Sequence, residues 1–321
     1  MKKKIIILSG DPNSINSEII YKSWKKLNNT LKRKIYLISN YELLKKQFKK
    51  LNYSIKITKL NNINENIESD KLKIINTNLN FKNPFKVPRA SASKFVINSL
   101  DQAHRFALKD DVSGIINCAI DKKLLSNKKI GVTEYLANKC NVKNGSEVML
   151  IRNKKLSVTP ITTHIDINQV SKKIKTLIIV NKVKTIQSWF KKLYKRKPKI
   201  GILGLNPHNA ELRKNSEEVK IIIPAIVNLK KIGINVSGPL ISDSLFIGEY
   251  KNYDIIVGMF HDQILTPFKT IFKFDAINIT LGLKYLRTSP DHGTAIHLIG
   301  KNKANATSLL ECINFVNKFG K

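Results

Sequence analysis

The sequence predicts an α/β protein of two domains built on mostly parallel sheets, and two observations lead there. Short apolar runs alternate with longer segments of helical period along 321 residues, and that alternation implies a largely parallel sheet covered by helices. Stretches such as IIIL and DIIVGMF are apolar along nearly their whole length, as strands buried on both faces require. The length suits two domains or one large α/β unit, and 42% hydrophobic residues supply a core and exclude wholesale disorder.

Taken in order, residues 4–9, 33–38, 72–76, 114–118, 199–204, 253–258 and 276–280 are short, largely apolar and rich in Ile, and read as buried strands. Between them, residues 14–27, 90–108, 168–194, 215–232 and 304–319 carry apolar residues at helical spacing and read as helices. The polar segment 61–70, rich in Asn and Glu, reads as a surface loop. The structural break is expected near 131–141, before the apolar stretch 148–163. The domains are therefore expected to be 1–135 plus 300–321, the C-terminal helix packing back onto the first, and 136–299.

The opening MKKKIIILSG has a basic tip, but its apolar run is one strand long and ends at Asp11 and Pro12, so it does not read as a signal peptide. No segment approaches the roughly 20 apolar residues that span a bilayer. Three cysteines, Cys118, Cys140 and Cys312, are widely spaced and odd in number, which indicates neither a disulfide framework nor a zinc knuckle. A cytoplasmic protein with no membrane partner is expected. The net charge of +34 invites a nucleic-acid reading. Yet the lysines are spread along the chain among Ile and Asn, all three encoded by AT-rich codons. The densest basic run, 191–199, holds one aromatic residue, Tyr194, and no nucleic-acid module. No dedicated nucleic-acid partner is expected; attraction for anionic substrates is the milder consequence.

Of six histidines, three sit in strand-end contexts: His164 ends the run SVTPITTH, His208 follows a strand in GILGLNPH and His261 follows one in IIVGMFHDQ. Ligands of open α/β sheets collect beyond the carboxyl ends of the strands. Three imidazoles there suit one divalent ion with coordination positions left open for substrate.

GLNPH, SGPLISDSLF, HDQ, the spacing to Lys269, NITLGLKYLRTS and PDHGTA occur in the order and spacing of the 4-hydroxythreonine-4-phosphate dehydrogenase family of vitamin B6 biosynthesis, which the chain resembles over nearly its whole length. The resemblance implies an isocitrate/isopropylmalate dehydrogenase-like fold with the active site in the interdomain cleft, acting as a homodimer. It implies metal ligands at His164, His208 and His261, and substrate contacts at Thr133, Lys269, Asn278 and Arg287. It implies an acidic residue contributed across the dimer interface, Asp243, and a cofactor loop His292, Gly293, Thr294 and Ala295 for the adenosine part of NAD (or NADP). Lys122 matches a family lysine and is the candidate proton donor. The implied reaction is metal- and NAD-dependent oxidation of 4-phosphooxy-L-threonine with decarboxylation, the metal being zinc, magnesium or cobalt. Lys269 and Arg287 are cations suited to phosphate or carboxylate.

The chain departs from the family pattern at several points. Ser14 and Asn16 stand where glycines are usual, Ala119 where a proline is, Val132 where a substrate-touching His is, and His297 where an acidic residue is. The loop from 122 to 131 is short, and the glycine-rich stretch after His208 reads NAELRKNSEE. Val132 keeps open a sibling dehydrogenase of phosphorylated sugar acids such as phospho-threonate or phospho-erythronate. The composition keeps open a basic nucleic-acid-binding protein, and the missing glycines an inactive homologue.

Overall fold

A computed structural model describes residues 3–60, 63–65, 70–125, 131–142, 146–273 and 275–320. The chain forms two compact units, Met1–Cys140 with Leu283–Lys321, and Asn141–Gly282.

In the first unit, β1 (Lys4–Leu8) leads through a turn to α1 (Asn16–Lys26), then α2 (Asn29–Lys34), β2 (Ile35–Ser39), α3 (Tyr41–Lys50), β3 (Ile57–Leu60), β4 (Leu72–Asn76), α4 (Arg89–Ala107), β5 (Val112–Asn117) and α5 (Val132–Lys139). The second unit runs β6 (Val148–Arg152), β7 (Ser157–Pro160), α6 (Val170–Lys173), α7 (Thr176–Tyr194), β8 (Ile200–Leu203), α8 (Ile223–Lys231), β9 (Val236–Leu240), α9 (Ser242–Leu245), β10 (Ile255–Gly258), α10 (His261–Phe272) and β11 (Ile277–Leu281). The chain then adds β12 (Arg287–Pro290) and α11 (Thr307–Phe319) to the first unit.

The first unit's strands lie in the order β3-β4-β2-β1-β5-β12, all parallel. Central β1 is buried on both faces, with Ile5 and Ile6 fully covered. Helices α4 and α11 pack on β5. Asn28 and Asn40 cap α2 and α3, their side chains accepting the amides of Leu31 and Leu43. Gly10 holds a left-handed turn after β1, φ 72°, where a Cβ would stand 2.5 Å from the Ala119 carbonyl. In the second unit the order is β11-β6-β7-β10-β8-β9. The β11, β6 and β7 pairings are antiparallel, and those from β7 through β10 and β8 to β9 are parallel. Phe268 of α10 joins Val158, Ile256 and Leu203 in its core.

Several expectations are corrected. Arg33 and Lys34 close helix α2 rather than opening a strand, because the Asn28 cap starts a helix turn just upstream. The helix expected over 168–194 is broken at Ile174, whose extended backbone separates α6 from α7. The helix expected from 215 begins as a wide turn, Glu218–Ile222, and becomes α-helical only at Ile223. Pro224 has no N–H with which to extend the earlier ladder. The chain regains the first unit at Leu283, well before position 300, because Arg287 and Thr288 of β12 pair with Ile115 and Ile116 of β5. Much of the loop expected over 61–70 lies outside the described residues.

Lys73 of β4 is 2% exposed. Its Nζ sits 4.0 Å from the Tyr36 ring centroid and donates to the Arg33 carbonyl at 2.6 Å. Burial, with a smaller contribution from Lys4, pushes its pKa from 10.5 down to about 8. The unfolded chain holds this proton to higher pH than the folded one, so stability rises with pH between those two values. Urea titrations of wild type and Lys73→Met should therefore diverge between pH 8 and 9.5. Wild type gains about 2 kcal/mol relative to the variant over that window; parallel pH profiles would contradict a buried charged amine.

Candidate active site

The site is built on three neighbouring parallel strands of the second unit. Gly258 at the end of β10 pairs with Pro160 at the end of β7. The ladder continues past both strands, with Ile161 N–H on the Gly258 carbonyl and Thr162 N–H and Oγ1 on the Met259 carbonyl. Two chains held in step this far deliver His164 and His261 together, their ring centroids 5.6 Å apart. Imidazoles sharing one ion, each about 2.1 Å from it through nitrogen, have centroids separated by about 5–6 Å, and this pair has that spacing. His261 Nδ1 lies 2.6 Å from Asp262 Oδ1. With the carboxylate ionised, the ring proton sits on Nδ1 and the Nε2 lone pair is left for a ligand.

His208 is not gathered with the other two. Among the described residues no group of three His, Cys, Asp or Glu side chains could hold a metal ion. The expected convergence is thus present as a pair. On the β8 side the ladder with β10 stops at Ile202 opposite Val257, and the chain turns through Gly204–Pro207 before reaching His208. His208, Asn209, Ala210, Glu211 and Leu212 then all adopt left-handed backbone, φ 45–57°. Each such non-glycine residue costs about 1–2 kcal/mol, and the family pattern has glycines in this stretch. The run is held by its neighbours. Buried Asn209 donates to the Pro239 carbonyl at 3.0 Å, and the Ala210 carbonyl accepts from Arg213.

Upstream, fully buried Glu218 accepts the amides of Leu205 and Asn206, each at 2.8 Å, and the Asn206 side chain. Burial alone would raise its pKa; these hydrogen bonds outweigh burial and hold the carboxyl below its ordinary value.

The other candidates divide between the units. In the second unit Asn278 is on β11, its Oδ1 buried with no hydrogen-bond partner, an acceptor that a ligand hydroxyl or amine would satisfy. Lys269 is exposed in the last turn of α10. Asp243 is exposed on α9, its Oδ1 accepting the adjacent Ser244 amide, as a turn residue does. In the first unit Arg287 is buried on β12, its Nε donating to Asn117 Oδ1 at 2.7 Å and its Nη1 to Thr133 Oγ1 at 3.3 Å. Two expected substrate-binding residues are thus in contact, and Asn117, which sequence reading missed, fixes the guanidinium. Burial lowers Arg287 to about 10, so it stays cationic at neutral pH. Val132 begins α5 beside Thr133. Lys122 is exposed in a short turn.

In the loop after β12, Ala295 is left-handed and open space surrounds Gly293. His292 Nδ1 lies 2.9 Å from the Gly293 carbonyl, while its Nε2 is buried without a partner. The Thr294 carbonyl accepts from Ile15 of the β1–α1 turn. An open backbone face with an unsatisfied ring nitrogen fits a polar cofactor such as a nucleotide.

Residues 30–316 match the family model described as pyridoxal phosphate biosynthetic protein PdxA. A 4-hydroxythreonine-4-phosphate dehydrogenase from Sulfurihydrogenibium sp. is 36% identical over 97% of this chain and 96% of its own. A protein from Oceanobacillus iheyensis named for D-threonate 4-phosphate dehydrogenase activity is 36% identical over 67% of this chain and 66% of its own. The crystal structure of 4-hydroxythreonine-4-phosphate dehydrogenase from Klebsiella pneumoniae superposes with a TM-score of 0.84 at 26% identity, covering 98% of each chain. The fold alone extends to isocitrate dehydrogenase from Methylococcus capsulatus, with a TM-score of 0.50 at 10% identity over 98% of this chain and 84% of that one.

Glu218→Gln should destabilise the protein by about 1–3 kcal/mol at pH 7, through loss of a charged acceptor for two buried amides. Because the folded pKa is depressed, the wild-type advantage is complete above the ordinary carboxylate value of 4.5 and disappears as pH falls through the lower folded value. Thermal melts at pH 7 and pH 4 check this: equal differences at the two pH values would refute it. Glu211→Gly, at an exposed left-handed position, should stabilise by up to about 1 kcal/mol, read from the same melts.

Proposed function

The chain belongs to the family of pyridoxal phosphate biosynthetic protein PdxA, a family of dehydrogenases, and from that premise we propose that it oxidises 4-phosphooxy-L-threonine with NAD and a divalent metal ion. The product loses carbon dioxide to give 3-amino-2-oxopropyl phosphate. The observation that carries the reading is the His164–His261 pair at the carboxyl ends of β7 and β10.

In this reading His164 and His261 would hold the ion, with its remaining positions open to substrate and water. When bound, the ion would supply Lewis acidity toward the substrate hydroxyl, and NAD would supply a hydride acceptor. The chain's own groups do the rest. Asp262 keeps the Nε2 lone pair of His261 available. Arg287, held by Asn117 and Thr133, and Lys269 supply the positive charge toward phosphate or carboxylate. Asn278 Oδ1 accepts from the substrate's hydroxyl or amino group. Oxidation places a ketone β to the carboxylate. The C–COO⁻ bond then breaks, its electron pair passes to the adjacent carbon, and Lys122 donates the proton that completes the product. His292, Gly293, Thr294 and Ala295 line the nucleotide's adenosine end, the unpartnered His292 Nε2 being the group that supports this. The active form is a homodimer in which Asp243 reaches the partner's site; exposed Ile241 and Ile247 beside it suit a covered surface. Among the described residues no helix is long and apolar enough to cross a membrane.

A second reading, oxidation of a phosphorylated sugar acid, is favoured by Val132 and by the relative from Oceanobacillus. The two substrates differ in an amino group, so kcat/KM for each, measured side by side, separates them. With 4-phosphooxy-L-threonine, NAD and zinc, magnesium or cobalt, the purified protein should form NADH, and His164→Ala should lower the rate about 100-fold or more. No NADH with any of the three metals would overturn the proposal.

A further inference from the structure

Gln263 lies two residues beyond His261 in the HDQ motif, and its amide reaches three separate segments. Its Oε1 accepts the Met259 amide at 2.7 Å, and its Nε2 donates to the Gly204 carbonyl at 2.7 Å and to Ser242 Oγ at 2.8 Å. Each partner borders a candidate site residue. Met259 stands just before the α10 start that carries His261, Gly204 opens the turn that leads to His208, and Ser242 precedes Asp243. We infer that Gln263 is a positioning residue, locking these segments in one arrangement through their backbones while touching neither metal nor substrate. The inference rests on the reading above that the imidazoles bind a divalent ion.

The chemistry of the position selects an amide. Two N–H groups and one carbonyl meet two acceptors and one donor, so both hydrogens and one lone pair are used. Glutamate has no hydrogens for the Gly204 carbonyl and would set two oxygens against each other; alanine would leave the Met259 amide and the Gly204 carbonyl without this partner. The seat is also shaped for the side chain. A Cβ on Gly258 would stand 3.1 Å from Gln263 Oε1. Gln263 and Glu218 hold opposite ends of the peptide between Gly204 and Leu205, and Glu218 also holds the next amide. The first holds the carbonyl of Gly204, the second the amides of Leu205 and Asn206. His208 therefore leaves a turn fixed at both its carbonyl and its amides. Partners of this kind, one step removed from the ligands, change metal affinity about 10–100-fold when removed.

The test is a Co²⁺ titration of metal-free full-length wild type, Gln263→Ala and Gln263→Glu, followed by the visible absorption of the bound ion, with hydrogen exchange at the Met259 amide measured without metal. Gln263→Ala should bind Co²⁺ about 10–100-fold more weakly, show a shifted absorption band and exchange Met259 faster. Gln263→Glu keeps the acceptor for Met259 and should lose Co²⁺ affinity while that amide stays protected; it also decides the matter if the alanine variant does not fold. Wild-type Co²⁺ affinity and spectrum in both variants would overturn the inference. If wild type binds no Co²⁺, the metal reading falls, and unchanged Met259 exchange in Gln263→Ala would then overturn this inference separately.

Discussion

The parallel ladder that joins β7 to β10, and β10 to β8, is the constraint on which the site depends. It fixes which residues emerge side by side at the carboxyl edge of the second unit's sheet. Between β7 and β10 it runs on past the assigned strands, through Ile161 and Thr162, so the two chains are still in step a residue or two before their histidines. Between β8 and β10 it stops earlier, and the path to His208 is governed by a turn and a left-handed run. The imidazoles that meet are those whose strands stay paired longest. Side-chain clamps, Gln263 and Glu218, take over where backbone pairing ends.

Much of this was legible in the sequence. Aliphatic runs such as KIIIL and IIVG mark strands because no polar face is needed when both sides are covered. The strand-end context of His208 and His261 follows from the same pattern. The short elements were not legible. β12 is RTSP and β7 is SVTP, and neither is apolar enough to declare itself; each is a strand because a neighbour offers an unpaired edge. Arg287 belongs to the first unit for that reason alone. Nor could periodicity show that buried Asn117 would hold the Arg287 guanidinium, since an Asn ending a strand reads as the start of a turn. The HDQ and SEE motifs were visible, but the partners of Gln263 and Glu218 lie on other elements and exist only in the folded chain.

The charge balance shapes how the fold is stitched. With 57 basic against 23 acidic side chains, carboxylates are scarce, and three of them tie distant segments through backbone amides. Glu18 accepts from Ala304 and from Lys22, Asp254 from Lys199 and Arg196, and Glu218 from Leu205 and Asn206. A charge-assisted bond to a backbone N–H is about twice as strong as a neutral one. Part of the densest basic run is accounted for in the same way. Arg196 forms a two-point pair with Asp254 and lies over Phe190, and Tyr194 faces Arg152.

The first unit takes its chain from both ends of the sequence, whereas the second is one uninterrupted stretch, Asn141–Gly282. As the chain leaves the ribosome, the second unit has all its strands before β12 and α11 have been synthesised. Until then β5 waits with its β12 edge bare and without the α11 packing it later receives. Synthesis at about 5–20 residues per second leaves that edge open for seconds. A stop codon placed before Thr307 would leave β5, synthesised long before, without the packing of α11.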